Sequence, residues 1–545
     1  MPRALSGAVL GVILVLAALV RLRLAGVPLE RDEGEYAYAG QLILQGVPPY
    51  QLVYNMKFPG TYYAYSLILA LFGQTAWGVH VGLLLVNAAT TLLLFLLARR
   101  VTGERAALVA AATFAVLSLD RWVMGVFAHA TQFVILAAVA GLLVLERAMA
   151  SKRLGTFLGA GMLLGASVLM KQQGIVFVPL AIGLGLWRDL RSDRVPPGRA
   201  ARHAAALALG AAVPFAILCA VLGAQGVLGR FWFWTVGYAR AYVSEVPWSG
   251  ALPALAAGFR LVTRATWALW LVAALGSVGL WLAPWRCETR LFVIGFLLAS
   301  FLATCPGFYF RAHYFIAMLP AVAMLAGVGI VSLGRLAASR LPAPAAAVAA
   351  LGLFALALLA WAIPERDYVL RMSPRDLSRT RYGGNPFVEA PEIARAIEER
   401  TSAADRIAVL GSEPEICFYA HRRSATGHVY MYPLTEHQTL APRMQDEMIR
   451  EVEQAHPAVV VFVANRASWV SGPDVDRRVL DWADRYLERC YDVVGVAERL
   501  PDGSSVFRWD AGAASYRPQT PDLIYTLKRR SEAPCSVPAP DPPPR

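Results

Sequence analysis

Charged residues are scarce in this sequence. Only 16% of its 545 residues are Asp, Glu, Lys or Arg, whereas 57% are hydrophobic. A soluble globular chain has about 25% charged residues. The shortfall comes from long apolar runs, and about 20 such residues span the hydrocarbon core of a bilayer as a helix. The composition therefore excludes an ordinary soluble protein and indicates a multi-spanning membrane protein.

Cysteine is also rare, and a fixed-period internal repeat is lacking. None of the six cysteines lies in a Cys-x-x-Cys pair, which argues against a zinc site. Whether Cys417 and Cys490 pair stays open, because an exported domain permits disulfides. The lack of a repeat weakens the case for a transporter built from inverted repeats.

The apolar runs predict an all-α polytopic bundle of about eleven transmembrane helices. The predicted spans are 4–24, 77–98, 106–120, 122–145, 154–170, 174–188, 204–223, 266–284, 290–305, 313–333 and 343–363. The two runs beside Lys171 could also form one broken helix.

The net charge of +13 is interpreted as membrane topology and not as nucleic-acid binding. Arginines cluster in alternate loops, which is the bias of cytoplasmic loops. The N-terminus and Arg194 are therefore predicted inside the cell, with Ser471 outside. The alternative for the first run, a cleaved signal peptide, also leaves the residues after Val27 on the outer face.

The last third of the chain predicts a small extracytoplasmic α/β domain over 364–512, following a transmembrane domain over 1–363. Its predicted elements are buried strands at 406–410 and 459–463, an amphipathic helix at 447–455 and a hairpin at 492–509. The remainder, 513–545, ends in a Pro-rich stretch and is predicted to be a disordered tail.

The outer loop over 27–76 carries the candidate chemistry. Asp32 and Lys57 offer a base for an acceptor hydroxyl and a cation for a departing phosphate. The alternative for Asp32 is helix capping, in a capping box with Glu35. The alternative for Lys57 is a lysine that snorkels at the membrane surface.

Further polar and aromatic residues are expected near the same outer face. Tyr36 and Tyr62 are predicted to line the substrate site, although tyrosines also form interfacial belts. Arg311 and His313 could hold a phosphate, and Lys171 interrupts an apolar stretch, which favours a functional role. The alternative for Arg311 and His313 is a snorkelling arginine within an interfacial aromatic belt.

The pair Asp32-Glu33 after the first span and Lys57-Phe58-Pro59 before the next resemble the C-type (GT-C) glycosyltransferases. Within them, residues 1–335 are similar to the protein O-mannosyltransferase and aminoarabinose transferase families (glycosyltransferase family 39-like). The resemblance implies a polyprenyl-phosphate sugar donor and inversion at the anomeric carbon. It implies that Asp32 is the catalytic base, that Glu33 is the adjacent acid, and that Lys57 holds the lipid phosphate.

Two departures from the family pattern matter. Many relatives have Lys-Pro-Pro where this chain has Lys57-Phe58-Pro59. Many also carry a second acidic residue in a later outer loop, where this chain offers His129 and Gln132 as substitutes. The missing acid weakens a two-carboxylate metal site, so no metal is assigned, although a divalent ion at Asp32 and Glu33 stays open.

The sequence thus predicts an inverting glycosyltransferase in the cell envelope. It would sit in the bacterial cytoplasmic (inner) membrane with the C-terminal domain on the periplasmic side. The expected acceptor is a lipid, glycan or protein hydroxyl, and no nucleic acid is expected. The alternatives are a transporter or flippase of lipid-linked sugars and a non-catalytic membrane receptor.

Overall fold

A computed structural model describes residues 3–192, 195–470 and 476–530. Sixteen α-helices form the membrane part and its outer loops. They are α1 (Arg3–Leu24), α2 (Arg31–Leu44), α3 (Gly60–Phe72), α4 (Ala76–Val101), α5 (Glu104–Leu117), α6 (Ala130–Ser151), α7 (Leu154–Met170), α8 (Phe177–Leu190), α9 (Pro197–Ala224), α10 (Leu228–Trp232), α11 (Ala239–Val243), α12 (Trp248–Thr263), α13 (Trp267–Leu282), α14 (Cys287–Leu302), α15 (Leu319–Ala337) and α16 (Ala343–Ala362). Four irregular helices connect them, at Gln172–Val176, Phe233–Tyr238, Pro306–Phe308 and Ala312–Met318.

A helix lies at each of the eleven predicted spans, which confirms the helical membrane bundle. Among the described residues, seven helices are long and apolar enough to cross a membrane alone, and α12 with α13 would add an eighth. That pair is bent by 112°. The span predicted at 122–145 is displaced to α6, because residues 118–129 form turns and extended chain.

The two ends of the bundle differ in chemistry. At one end, Arg188 pairs with Glu146 at 3.3 Å, and Thr289 donates to the Val101 carbonyl at 2.9 Å. These contacts bring the predicted cytoplasmic loops together. The opposite end holds α2, α3 and the C-terminal domain. Arg194 and Ser471, used above to define the orientation, lie outside the described residues.

The C-terminal domain is a six-stranded sheet with helices. Its strands are β1 (Arg406–Leu410), β2 (Arg423–Ser424), β3 (Val459–Val463), β4 (Tyr491–Arg499), β5 (Ser505–Trp509) and β6 (Leu523–Arg529). Its helices are α17 (Arg366–Leu370), α18 (Pro374–Tyr382), α19 (Ala390–Arg400), α20 (Pro414–Tyr419), α21 (Tyr432–Thr435), α22 (Ala441–Ala455), α23 (Arg478–Cys490) and α24 (Ala511–Ala514), with 3₁₀ turns at Pro386–Val388 and Arg466–Ser468.

The strand order is β2-β1-β3-β6-β4-β5. β1 runs parallel to β2 and β3, whereas β6, β4 and β5 pair antiparallel. Nearly every residue of β1 and β3 is buried, as expected for parallel strands that are covered on both faces. The predicted strands, hairpin and amphipathic helix are confirmed.

The prediction of a disordered tail from residue 513 is wrong for β6. Residues 523–529 form a central strand between β3 and β4, because Leu523, Ile524 and Leu527 are buried against the sheet. The Pro-rich residues 531–545 lie outside the described part of the chain. The domain that begins after α16 therefore extends at least to Arg529.

One hydrophobic core joins the first outer loop to the C-terminal domain. Tyr36 and Tyr65 of α2 and α3 belong to the same buried cluster as Ile407 and Val459 of the sheet. At Gly34, an added Cβ would lie 2.7 Å from the Glu415 backbone nitrogen, so a larger residue could not fit against α20. The C-terminal domain thus fixes where α2 lies.

Candidate active site

Helix α2 begins one residue after Glu30, and this register frees Asp32 for other contacts. The Glu30 carboxylate accepts from the Glu33 backbone amide, and the Glu33 carboxylate accepts from the Glu30 amide. The predicted capping box of Asp32 and Glu35 is therefore wrong by two residues. Asp32 lies in the first turn, where the helix dipole favours a negative charge.

Asp32 faces a lysine and two histidines. Its Oδ1 atom accepts from Lys57 Nζ at 2.8 Å, and its Oδ2 atom lies 3.6 Å from His129 Nδ1 and 4.0 Å from His313 Nε2. Burial alone would raise the pKa of Asp32. The Lys57 ammonium, followed by the nearby imidazoles of His129 and His313, outweighs burial and holds that pKa well below its ordinary value. Asp32 is therefore a carboxylate at neutral pH.

Glu35 is a second carboxylate of the site, and its role was missed from the sequence. It is fully buried and accepts from Lys57 Nζ at 3.3 Å, Tyr62 Oη at 2.5 Å and Asn55 Nδ2 at 2.5 Å. Burial lowers the pKa of Lys57, but Asp32 and Glu35 raise it well above its ordinary value. Lys57 thus stays an ammonium between two acids.

The carboxylate of Glu33 lies away from these groups. It accepts from the Ala128 amide at 2.5 Å and contacts His80 Nε2 at 3.0 Å. With the Glu30 amide included, both of its oxygens are occupied. Glu33 is fully buried and does not line the cavity described below. Its contacts are those of a residue that orders the start of α2.

A cavity of about 200 Å³ opens beside Asp32. The predicted site residues on its wall are Asp32, Lys57, Lys171, Arg311 and His313. Lys57 and Arg311, which are 254 positions apart in the sequence, therefore line the same cavity. Lys171 lies over the Tyr314 ring at 4.2 Å and Arg311 over the Tyr309 ring at 5.2 Å. Within the described ranges, neither Lys171 nor Arg311 has a carboxylate at ion-pair distance.

The other predicted residues lie behind the cavity wall. Tyr36 and Tyr62 are buried; Lys57 Nζ lies 4.6 Å from the Tyr36 ring. Gln132 is buried and donates to the Gly125 carbonyl at 3.0 Å. His129 is 2% exposed, and its ring stacks on His313 at 4.3 Å. Tyr36 and His129 therefore contact Lys57 and His313, which reach the cavity, whereas Gln132 bonds to the backbone of Gly125.

The C-terminal domain supplies part of the wall, which the sequence did not reveal. Tyr430, Tyr432 and Glu436 line the cavity, and Glu436 accepts from Tyr238 Oη at 2.5 Å. Burial raises the pKa of Glu436 to about 7. Tyr430 and Tyr432 form a closely spaced aromatic pair in the sequence, but that pattern does not by itself indicate a membrane cavity.

Arg31 ties the C-terminal domain to the residue next to Asp32. It donates to the Ser412 carbonyl at 2.6 Å, to Tyr432 Oη at 2.8 Å and to Glu413 at 3.2 Å. Its guanidinium also lies 4.7 Å from the Tyr432 ring. Because both charges of the Arg31–Glu413 pair are buried, the pair fixes α2 only while both partners remain.

The structure offers a different set of metal ligands from the pair that the sequence suggested. Both oxygens of Glu33 are occupied, so Asp32 and Glu33 do not form a pair of free ligands. Asp32, His129 and His313 instead offer ligand atoms that all lie within 4.8 Å of one another. Both ring nitrogens of His129 are buried without a hydrogen-bond partner, which fits a ligand set of two imidazoles and a carboxylate.

Comparisons with known proteins agree with this architecture. Residues 56–217 match the family described as dolichyl-phosphate-mannose-protein mannosyltransferase. Among curated protein sequences, none matches the chain significantly.

Solved structures match over nearly the whole chain. ArnT from Cupriavidus metallidurans bound to undecaprenyl phosphate is 17% identical, with a TM-score of 0.59, over 96% of this chain and 98% of that one. Archaeal oligosaccharyltransferase AglB from Archaeoglobus fulgidus, in complex with an inhibitory peptide and a dolichol-phosphate, is 14% identical, with a TM-score of 0.52, over 94% and 75%.

The Archaeoglobus fulgidus oligosaccharyltransferase has also been solved in complex with Zn and sulfate. That structure is 16% identical, with a TM-score of 0.52, over 91% of this chain and 72% of that one. The matched family and these neighbours are glycosyltransferases. The predicted resemblance is thus confirmed, and this chain is a multi-pass membrane protein with the fold of the C-type glycosyltransferases.

Proposed function

We propose that this chain is an inverting glycosyltransferase that uses a polyprenyl-phosphate sugar donor. The acceptor is a hydroxyl on the outer face of the bacterial cytoplasmic membrane, on a lipid, a glycan or a protein. One observation carries the proposal: an ionised Asp32 shares a cavity with the basic side chains Lys57, Lys171 and Arg311. A base and a phosphate-binding set are the two parts that this reaction requires.

In the proposed step, Asp32 takes the proton of the acceptor hydroxyl. The acceptor oxygen forms a bond to the anomeric carbon from the face opposite the phosphate. The bond between that carbon and the phosphate oxygen breaks, and its electron pair leaves with the polyprenyl phosphate. The products are the glycosylated acceptor with inverted configuration and the free lipid phosphate.

The three basic side chains have different partners in the proposed reaction. Lys171 and Arg311 lack carboxylate partners within the described ranges, so both are available to a phosphate. Lys57 is held by Asp32 and Glu35, and a donor phosphate beside it would draw the ammonium away from Asp32. Donor binding would thereby strengthen Asp32 as a base, which matters because a carboxylate with a low pKa is a weak one.

A divalent cation would fit the ligand set of Asp32, His129 and His313. If bound there, it would supply positive charge near the departing phosphate. Metal analysis of the purified chain beside a His129→Ala variant tests this arrangement, since the variant removes one of the three ligands. Lys171 and Arg311 keep their proposed roles with or without the ion.

The test of the function is product release. The purified chain is incubated with polyprenyl-phosphate sugars of different head groups in a membrane extract that contains acceptors. We expect one donor to yield free polyprenyl phosphate together with a labelled acceptor. Donors that stay intact while lipid-linked sugar crosses a vesicle membrane would instead establish a flippase.

A further inference from the structure

Three arginines surround the indole of Trp122, at a place separate from the cavity. The guanidinium carbons of Arg264, Arg381 and Arg121 lie 4.5, 4.9 and 5.2 Å from the ring centroid. None of these residues lines the cavity beside Asp32. An indole has two faces, so at least two of the three cations share one face. Such crowding is unfavourable unless an anion lies between them.

Glu365 and Asp120 are the acidic residues near this Trp122 cluster, and Asp120 acts on Arg381 from beyond ion-pair distance. Arg121 Nε pairs with Glu365 at 2.9 Å. Within residues 3–192, 195–470 and 476–530, no carboxylate lies at ion-pair distance from Arg264 or Arg381. The Nε atom of Arg381 is buried and donates to no acceptor. At least two guanidinium groups are therefore left for an external anion.

The positions of these residues at the ends of apolar helices indicate that the cluster lies near the membrane surface. Trp122 follows α5, Arg264 lies at the 112° bend between α12 and α13, and Arg381 belongs to α18 just after the last long apolar helix. α12 leaves Trp248 81% and Leu252 72% exposed, as expected of a helix lying in the lipid interface. Lipid phosphates occupy this depth.

We propose that Arg264 and Arg381, arranged on Trp122, bind the phosphate of an anionic membrane lipid. A guanidinium donates two parallel hydrogen bonds to phosphate oxygens, and an indole is favoured where apolar and wet surroundings meet. The ligand is a head group with net negative charge, because two unpaired cations would attract a zwitterionic head group less. This site is distinct from the donor site and does not depend on the proposed reaction.

The experiment measures lipid retention by the full-length chain. Purified protein is mixed with phosphatidylglycerol or phosphatidylcholine and examined by native mass spectrometry. We expect retention of one phosphatidylglycerol in preference to phosphatidylcholine. An Arg264→Gln/Arg381→Gln variant should bind phosphatidylglycerol at least about tenfold more weakly, as expected for the loss of charge-assisted hydrogen bonds.

Matched controls separate binding from folding. Arg264→Gln alone changes an exposed side chain and should weaken binding while leaving the unfolding temperature unchanged. Arg371→Gln changes another exposed outer arginine, one that already pairs with Asp367 at 3.5 Å, and should retain the lipid. Equal retention of both lipids by the wild type, or no difference between Arg264→Gln and Arg371→Gln, would overturn the proposal.

A second measurement distinguishes a lipid from a free anion. Phenylglyoxal modification of Arg264 and Arg381 is mapped by peptide mass spectrometry, with phosphatidylglycerol or inorganic phosphate at equal concentration. Protection by the lipid alone supports a lipid site. Equal protection by inorganic phosphate would show a simple anion site and refute the lipid assignment.

Discussion

The Lys57 ammonium lies 2.8 Å from the Asp32 carboxylate and 3.3 Å from that of Glu35. In the wild type, protonation of Asp32 should lower kcat/KM only below about pH 4, because Asp32 must be ionised to act as a base and its pKa lies well below its ordinary value near 4. Burial raises the pKa of Glu35, so a fall in kcat/KM above pH 4 should come from Glu35 and be absent in Glu35→Gln. In Lys57→Gln, burial and Glu35 would act on Asp32 without the ammonium, so the acid limb should move to higher pH.

The measurement is kcat/KM against pH for both proteins, with Lys528→Gln as the control for loss of an exposed lysine charge on β6. Lys57→Gln should also raise the KM for the donor. An acid limb at the same pH in wild type and Lys57→Gln would contradict the assigned pairing.

Substitution of Glu35 should mainly lower activity, whereas substitution of Glu33 should mainly lower stability. Glu35→Gln weakens the hold on Lys57, so it should lower kcat/KM and shift the pH profile. Glu33→Gln disturbs the contacts with His80 and the Ala128 amide, so it should lower the unfolding temperature more than the turnover of the folded fraction. Thermal unfolding and initial rates, measured on the same preparations, test this difference between the two variants. A larger loss of turnover in Glu33→Gln would restore Glu33 as a catalytic group.

The C-terminal domain should be required for catalysis through Arg31. Glu413→Gln leaves the Arg31 guanidinium buried without its countercharge, and breaking a buried pair in this way typically costs about 3–5 kcal/mol. We expect a lower unfolding temperature and a lower kcat, because α2 and its Asp32 lose their anchor.

The control for that variant is Arg395→Gln. Arg395 forms ion pairs with Glu392 and Glu399 that are largely exposed, and exposed pairs contribute little to stability. Unfolding temperature and kcat should stay close to the wild-type values. If Glu413→Gln behaved as Arg395→Gln does, the Arg31–Glu413 pair would not position Asp32.

Much of this architecture was predictable from the sequence because it depends on local patterns. Apolar run length gave the positions of the helices, and short continuous apolar runs gave β1 and β3. The start of α2 was not predictable, since Glu30 and Asp32 both precede a plausible third-position acid. The capping register follows from the contacts of Glu33 with His80 and Ala128, which are distant in the chain.

The site was only partly predictable, because it too depends on contacts between residues that are distant in the chain. Asp32, Lys57 and Arg311 stood out as polar residues beside apolar runs. Glu35 looked like a capping residue, and Tyr430 and Glu436 gave no sign of reaching a membrane cavity. Their placement depends on packing between segments about 400 residues apart, and a pattern within one segment does not report such packing.

The orientation of the bundle can be tested with a native cysteine. Cys287 is exposed at the end that holds the arginine-rich loops, whereas Glu399 is a half-exposed residue of the C-terminal domain. In intact cells, a membrane-impermeant maleimide should label Glu399→Cys but reach Cys287 only after permeabilisation. Peptide mapping identifies each labelled site. Labelling of Cys287 from outside, with Glu399→Cys protected, would invert the topology.

The central claim is that Asp32 is the general base. Asp32→Asn preserves size, and because Glu30 caps α2, the helix start remains intact. The decisive measurement is the rate of polyprenyl phosphate release by Asp32→Asn and wild type at equal amounts of folded protein. Loss of the base should lower that rate by about 10²- to 10⁴-fold, while Glu35 still pairs with Lys57 and limits any loss of stability. A rate near that of the wild type would contradict the assignment.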